Sequence, residues 1–153
     1  MSENFNGWSI SKELFDWIIK NVPIGKTILE LGSGLGTKEL VKHYKVYSVE
    51  HDKKWLGVVS GTNYIYAPLV DGWYDVSILK DKLPKHYDVL LIDGPPQEKR
   101  GNILKHLPLF NLDVIIIVDD THRKLDLEIA NVLKENKNVI EIISKDKKAI
   151  IIT

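Results

Sequence analysis

Two adjacent carboxylates, Asp119 and Asp120, end the run "DVIIIVDD", in which five consecutive residues, 114–118, are apolar. A strand that carries two like charges to one point needs something there to balance them: a proton, a basic side chain or a metal ion. Asp93 ends a second apolar run, "YDVLLID" at 87–93, and His122 stands two residues after Asp120. A histidine titrates near working pH, so His122 is a candidate general base, its plain alternative being a surface residue.

A third chemical feature is "LELGSGLGT", where Gly32, Gly34 and Gly36 sit between an apolar run and a helical pattern. Glycines let the backbone turn tightly and approach a ligand closely, and the helix behind them offers unpaired N–H groups. The dinucleotide pattern G-x-G-x-x-G would need glycine at position 37, which is Thr37. The order here is E-x-G-x-G-x-G, starting at Glu30. A dinucleotide does not require that carboxylate, whereas a ligand with an ammonium group benefits from it. Glu50 ends the next run, "KVYSVE". A carboxylate at that tip can accept both hydroxyls of a ribose, the alternative being a solvated strand end.

These residues need strands and helices to bring them together. Seven runs read as strands: 27–31, 45–50, 64–67, 87–93, 113–119, 139–143 and 148–153. The central ones are continuously apolar, as in a parallel sheet covered on both faces. Helical patterns lie between them. The first spans about 9–21, with Ile10, Leu14, Trp17 and Ile18 on one face. Others are expected after Gly36, after Asp52, between Trp73 and Leu83, and around Ile103–Leu107. The last carries Leu125, Ile129, Val132 and Leu133, with Thr121 as its N-cap. Only 144–147 separate the last two strands, too few for a parallel crossover, so they should form an antiparallel hairpin.

The chain has 153 residues, the size of one domain, and no internal repeat or linker. Twenty-one basic and 21 acidic residues cancel, so bulk charge points to neither nucleic acid nor a membrane surface as partner. With no cysteine, thiolate chemistry and disulfides are excluded. No apolar run approaches the ~20 residues of a membrane span, and the first residues lack a signal-peptide pattern. A soluble cytoplasmic protein is the expectation.

Over nearly its whole length the chain resembles the class I S-adenosylmethionine-dependent methyltransferases. "ILELGSGLG" resembles their first motif, "YSVEHD" their acidic ribose motif and "YDVLLIDGPP" their motif after the fourth strand. The resemblance implies an α/β fold: a three-layer, Rossmann-like, seven-stranded and mostly parallel sheet closed by an antiparallel terminal hairpin strand. It implies one methyltransferase domain over 1–153, with the helix in 1–23 covering the core. It implies that Glu30, Gly32, Ser33, Gly34 and Gly36 hold the methionine part of S-adenosylmethionine, that Glu50 and His51 hold the ribose side, and that Asp93 borders the cofactor. The chain departs from the family at the adenine pocket, where the third strand runs into Ala67 and Pro68, and Asp71 comes late.

In the family's topology Asp93, Asp119 and Asp120 meet at neighbouring strand tips. The metal-dependent O-methyltransferases hold a divalent ion with acidic residues at matching positions, which implies Mg²⁺ on Asp93, Asp119 and Asp120. Such an ion would orient an acceptor hydroxyl and lower its pKa. The alternative is neutralisation by Arg100, Arg123 or protonated His122. The catalytic candidates are Asp93, Asp120 and His122, and the acceptor is a hydroxylated small molecule or saccharide. Two rivals remain: an N-methyltransferase using "DGPP", although no aromatic follows the prolines, and a non-catalytic cofactor-binding subunit. Trp73 and Tyr74 are candidates for walling the acceptor site, with packing as the other role for Trp73. The connections are short, so either the acceptor is small and held by loops, or a partner subunit or homodimer supplies part of the site. The first helix, with Trp8 and Trp17, would act as lid or dimer contact, or simply cover the sheet.

Overall fold

The computed structural model describes residues 9–153; Trp8 lies outside them. Among the described residues there are nine strands: β1 (Thr27–Leu31), β2 (Lys45–Glu50), β3 (Asn63–Tyr66), β4 (Leu69–Val70), β5 (Trp73–Tyr74), β6 (Val89–Ile92), β7 (Ile115–Val118), β8 (Val139–Ile143) and β9 (Lys148–Ile152). Seven form one sheet in the order β3-β2-β1-β6-β7-β9-β8. All pairs are parallel except β7–β9 and β8–β9. The terminal hairpin is therefore antiparallel, as its four-residue turn dictates.

Strand β1 lies between β2 and β6, so the chain runs outward on one side of β1 and later resumes on the other. The connections that leave β1 and β6 diverge, and a crevice opens at their carboxyl ends. The apolar strands fill two cores by simple alternation. Leu29, Leu31, Leu90, Ile92, Ile116 and Val118 face one side with Trp73, Ile103 and Ile129. Ile28, Val46, Leu91, Ile117 and Ile151 face the other with Leu14, Ile18 and Leu40.

Helix α1 (Lys12–Asn21) is capped by Ser11, whose side chain accepts from the Leu14 N–H. It covers the sheet through Leu14 and Ile18, with Trp17 packed alongside. Helix α2 (Thr37–Leu40) is a single turn. The helix expected after Asp52 shrinks to one 3₁₀ turn, Lys53–Trp55. Gly57 and Gly61 adopt φ of +79° and +94°, which no helix continues. Trp73 and Tyr74 do not start a helix; they pair as β5 with β4, and α3 (Val76–Lys82) follows, capped by Asp75. The segments Gln97–Lys105 and Leu107–Leu109 are 3₁₀. Helix α4 (Lys124–Leu133) begins later than Thr121 would set it: Arg123 holds the N-cap position without a side-chain cap bond. Thr121 is instead drawn to β9, its N–H donating to the Lys148 carbonyl at 2.8 Å. Among the described residues no helix is long and apolar enough to cross a membrane.

Candidate functional site

The crevice at the carboxyl ends of β1 and β6 has a glycine floor. Gly32 follows β1 with φ +90°, and a Cβ there would stand 2.7 Å from the Asp93 carbonyl oxygen. Gly94 follows β6, and a Cβ on it would lie 2.9 Å from the Gly32 Cα and 2.5 Å from the Tyr74 hydroxyl. The two loops thus touch backbone to backbone, which is what absent side chains permit. Above this contact lies a cavity of about 450 Å³.

One end of the cavity is bordered by Ser33, Glu50, His51, Asp52 and Trp55. Glu50 is nearly buried, and its lone pairs are already engaged. Its Oε1 accepts from the Ser33 N–H at 3.2 Å and the Ser33 hydroxyl at 2.7 Å. Its Oε2 accepts from the Asp52 N–H at 2.8 Å and lies 3.2 Å from His51 Nδ1. Strand register sets Glu30 beside Ser48, beneath the glycine turn. Glu30 Oε1 accepts from the Thr37 and Ser48 hydroxyls, both at 2.6 Å. Burial pushes its carboxyl up to about 7, the two hydroxyl bonds pull it down, and the charge of Glu50 adds to the rise. Glu30 does not border the main cavity; with Gly34, Gly36 and Thr37 it lines a small void behind the turn. Gly36 packs against Ile10, where a Cβ would come within 3.2 Å.

The other end is bordered by Asp93, Gly94, Arg100, Asp120, Arg123 and Lys147. Asp120 adopts φ +61°, so the chain turns there and directs its carboxylate into the cavity. That turn is what the adjacent pair requires, because successive strand residues otherwise face opposite ways. Asp93, Asp119 and Asp120 each offer an oxygen within 4.8 Å of the others. Three cations surround them. Arg100 reaches Asp120 at 3.0 Å and Asp126 at 2.8 Å, and its Nη2 donates to the Asp93 carbonyl at 3.0 Å. Arg123 meets Asp120 at 3.0 Å and Asp126 at 2.9 Å. Lys147 Nζ lies 3.0 Å from Asp119 and 3.4 Å from Asp120.

This cluster separates the carboxyls. Burial and the neighbouring Asp119 charge push Asp93 well above the usual carboxylate range, against the pull of Arg100. Asp119 is also raised, by burial and by Asp120, with Lys147 opposing. Burial works against ionisation of Asp120, but Lys147, Arg100 and Arg123 overcome it and hold this carboxyl below its ordinary value. Asp120 is the fixed anion, and Asp93 is the carboxyl that most readily keeps a proton.

Gly32, Ser33, Glu50, His51, Asp93 and Asp120 therefore meet around one cavity. His122 does not join them. It is exposed, and its Nδ1 accepts from the Lys148 N–H at 3.3 Å, away from the cavity that its neighbour Arg123 borders. Of the aromatic pair, Trp73 belongs to the core, stacked on His106 at 4.5 Å. Tyr74 borders the cavity, with a buried hydroxyl that lacks a hydrogen-bond partner. The sequence reading missed Lys147 and the cavity position of Trp55.

Oxygen donors at Asp93, Asp119 and Asp120 suit a hard divalent ion by type. Their charge, however, is already met by an ammonium and two guanidinium groups, and the ammonium stands between Asp119 and Asp120. A resident divalent ion would have to share that place with Lys147. The residues as arranged do not fit one.

No family model and no curated protein matches the sequence. Solved structures do match. An O-methyltransferase from Bacillus cereus in complex with SAH is 12% identical, with a TM-score of 0.66, over 99% of this chain and 86% of that one. A precorrin-6y methyltransferase from Geobacter metallireducens is 14% identical, with a TM-score of 0.63, over 96% of this chain and 91% of that one. A methyltransferase from Pyrococcus furiosus is 17% identical, with a TM-score of 0.55, over 91% and 80%. At these identities the likeness establishes architecture: the chain has the Rossmann-like α/β fold that these methyltransferases share.

Proposed function

We propose that the chain is an S-adenosylmethionine-dependent methyltransferase that methylates a hydroxyl group on a small molecule or saccharide. One observation carries this reading. A single cavity crosses the β1–β6 switch point, with a glycine floor, the Glu50 carboxylate at one end and the Asp93–Asp120 pair at the other. The first end suits a ribose, whose hydroxyls would replace that of Ser33 on Glu50. The second suits an acceptor hydroxyl bonded to the fixed anion Asp120. The oxygen attacks the sulfonium methyl carbon, the carbon–sulfur bond breaks to release S-adenosylhomocysteine, and the acceptor proton passes to Asp93 in its ionised form, the form that can act as a base. Its raised pKa makes the ionised carboxylate a stronger base than an ordinary aspartate.

An amino acceptor at the "DGPP" loop has less support. The carbonyls that would receive its N–H groups already accept from Arg100, at 3.0 Å on Asp93 O and 3.3 Å on Pro95 O, which ties that loop to the ion cluster. Calorimetry tests the donor half: S-adenosylhomocysteine should bind and NAD should not, and the reverse would end the proposal. For the acceptor half, labelled methyl uptake would be screened over catechols and saccharides. Asp93→Asn should then abolish turnover while S-adenosylhomocysteine affinity stays within about threefold, the scale of an uncharged change at a site the ligand only borders.

A further inference from the structure

We propose that Lys147 is the resident cation of this site, a positioning residue that stands where a divalent ion would sit and keeps one out. Lys147 lies in the β8–β9 turn, and the antiparallel pairing of β9 with β7 brings that turn to the carboxyl end of β7. The turn is pinned: the Lys147 carbonyl accepts from the Ser144 N–H at 2.9 Å and the Ser144 hydroxyl at 3.0 Å. Its Nζ donates to the Ser9 carbonyl at 2.8 Å and to Asp119 at 3.0 Å, and lies 3.4 Å from Asp120. An ammonium has three donors, and three oxygens surround it here. Burial would lower its pKa, but Asp119 and Asp120 more than reverse that, so it stays charged and is no base.

Charge balance supports the same assignment. Asp93, Asp119, Asp120 and Asp126 are met by Arg100, Arg123 and Lys147. Carboxyls outnumber cations in the set by one, so its charge is close to balanced without a metal. A divalent ion added to this set would leave it overcharged. The consequence for the reaction rests on the methyl-transfer reading: an ammonium offers no exchangeable coordination position, so the acceptor hydroxyl must be bound and deprotonated by carboxylates alone.

The test is a cation swap, read without cofactor or acceptor. Mn²⁺ binding would be titrated by calorimetry on wild type, Lys147→Ala, Lys147→Arg and Lys147→Ala with Asp119→Asn. Lys147→Ala should gain on the order of a thousandfold in Mn²⁺ affinity over wild type, the size of one unit-charge interaction removed at about 4 Å near a protein surface. Lys147→Arg should gain nothing, and Asp119→Asn should erase the gain. If Lys147→Ala loosens the fold, Mn²⁺ should raise its melting temperature and leave that of wild type unchanged. Wild type binding Mn²⁺ as well as Lys147→Ala does would overturn the proposal. So would a Lys147→Ala protein that neither binds Mn²⁺ better nor is stabilised by it. S-adenosylhomocysteine titrated into the same samples reports separately on the methyl-transfer reading, which can fail while the swap succeeds.

Discussion

The two sides of the crevice hold buried carboxylates by different means. At the β1–β2 end, Glu30 and Glu50 are held by hydroxyls and backbone N–H groups: Thr37, Ser48, Ser33 and Asp52. At the β6–β7 end, Asp93, Asp119, Asp120 and Asp126 are held by Arg100, Arg123 and Lys147. Hydroxyl donors are exchangeable, since a ligand hydroxyl can replace a protein one at little net cost. Cations are not, because removing one strands a buried charge. On the proposed function, the first side would trade partners with a ligand, while the second holds a fixed geometry.

The largest expected effect breaks the second end. Arg100→Met removes a buried guanidinium that meets Asp120, Asp126 and the Asp93 carbonyl. Unfolding in urea should show a loss of about 3–5 kcal/mol, as for one partner taken from a buried ion cluster. A loss under about 1 kcal/mol, the value of an exposed pair, would mean that the cations do not hold this end. The matching change at the first end is Glu50→Gln. It should weaken S-adenosylhomocysteine binding by about tenfold to a hundredfold, through loss of charge-assisted bonds to the ribose. Unaltered affinity by calorimetry would remove Glu50 from the ligand's contacts.

Next in size is a pH effect of opposite sign for Glu30 and Asp120. Glu30 titrates at about 7 in the folded chain, above its ordinary 4.5. The folded state then holds a proton that the unfolded state releases, so stability is full below pH 4.5 and declines as pH rises toward 7. Glu30→Gln should cancel that decline, with a melting temperature above that of wild type at pH 8 and no advantage at pH 4. The gain should be about 2 kcal/mol, allowing for the new amide N–H that needs a partner. Asp120 runs the opposite way. Its lowered pKa contributes stability above the unfolded carboxylate value that is lost as pH falls. An advantage for Glu30→Gln at pH 4 as large as at pH 8 would contradict the assignment.

Much of this contrast was legible in the residues. Continuous apolar runs gave the strands, and the four-residue turn gave the terminal hairpin. The glycine order marked the floor, although Gly36 serves packing against Ile10 rather than the cavity. Helical spacing misled at Trp55, Leu56 and Val59, because a periodic pattern does not register the glycines at 57 and 61 that adopt positive φ. His122 was misplaced because the reversal at Asp120 is a tertiary consequence of Thr121 bonding to β9. Lys147 was accessible in principle: an antiparallel β9 against β7 must bring its preceding turn beside Asp119. The hairpin was read for topology and not for what it delivers to the neighbouring strand tip.

The smallest effect sharpens the idea of exchangeable partners. In the free chain the Ser33 hydroxyl occupies Glu50 Oε1 at 2.7 Å, the place a ribose hydroxyl would need. If the first end works by exchange, this bond is a competitor that binding must break. Ser33→Ala removes the competitor and leaves the Ser33 backbone N–H on Glu50. Loss of one hydroxyl bond to a carboxylate should cost about 1 kcal/mol of folding stability, and ligand affinity should rise by a few-fold for the same reason. Calorimetry with S-adenosylhomocysteine and thermal unfolding on one sample would read both signs. A fall in affinity would instead make the Ser33 hydroxyl a direct ligand contact, with Glu50 serving chiefly to orient it.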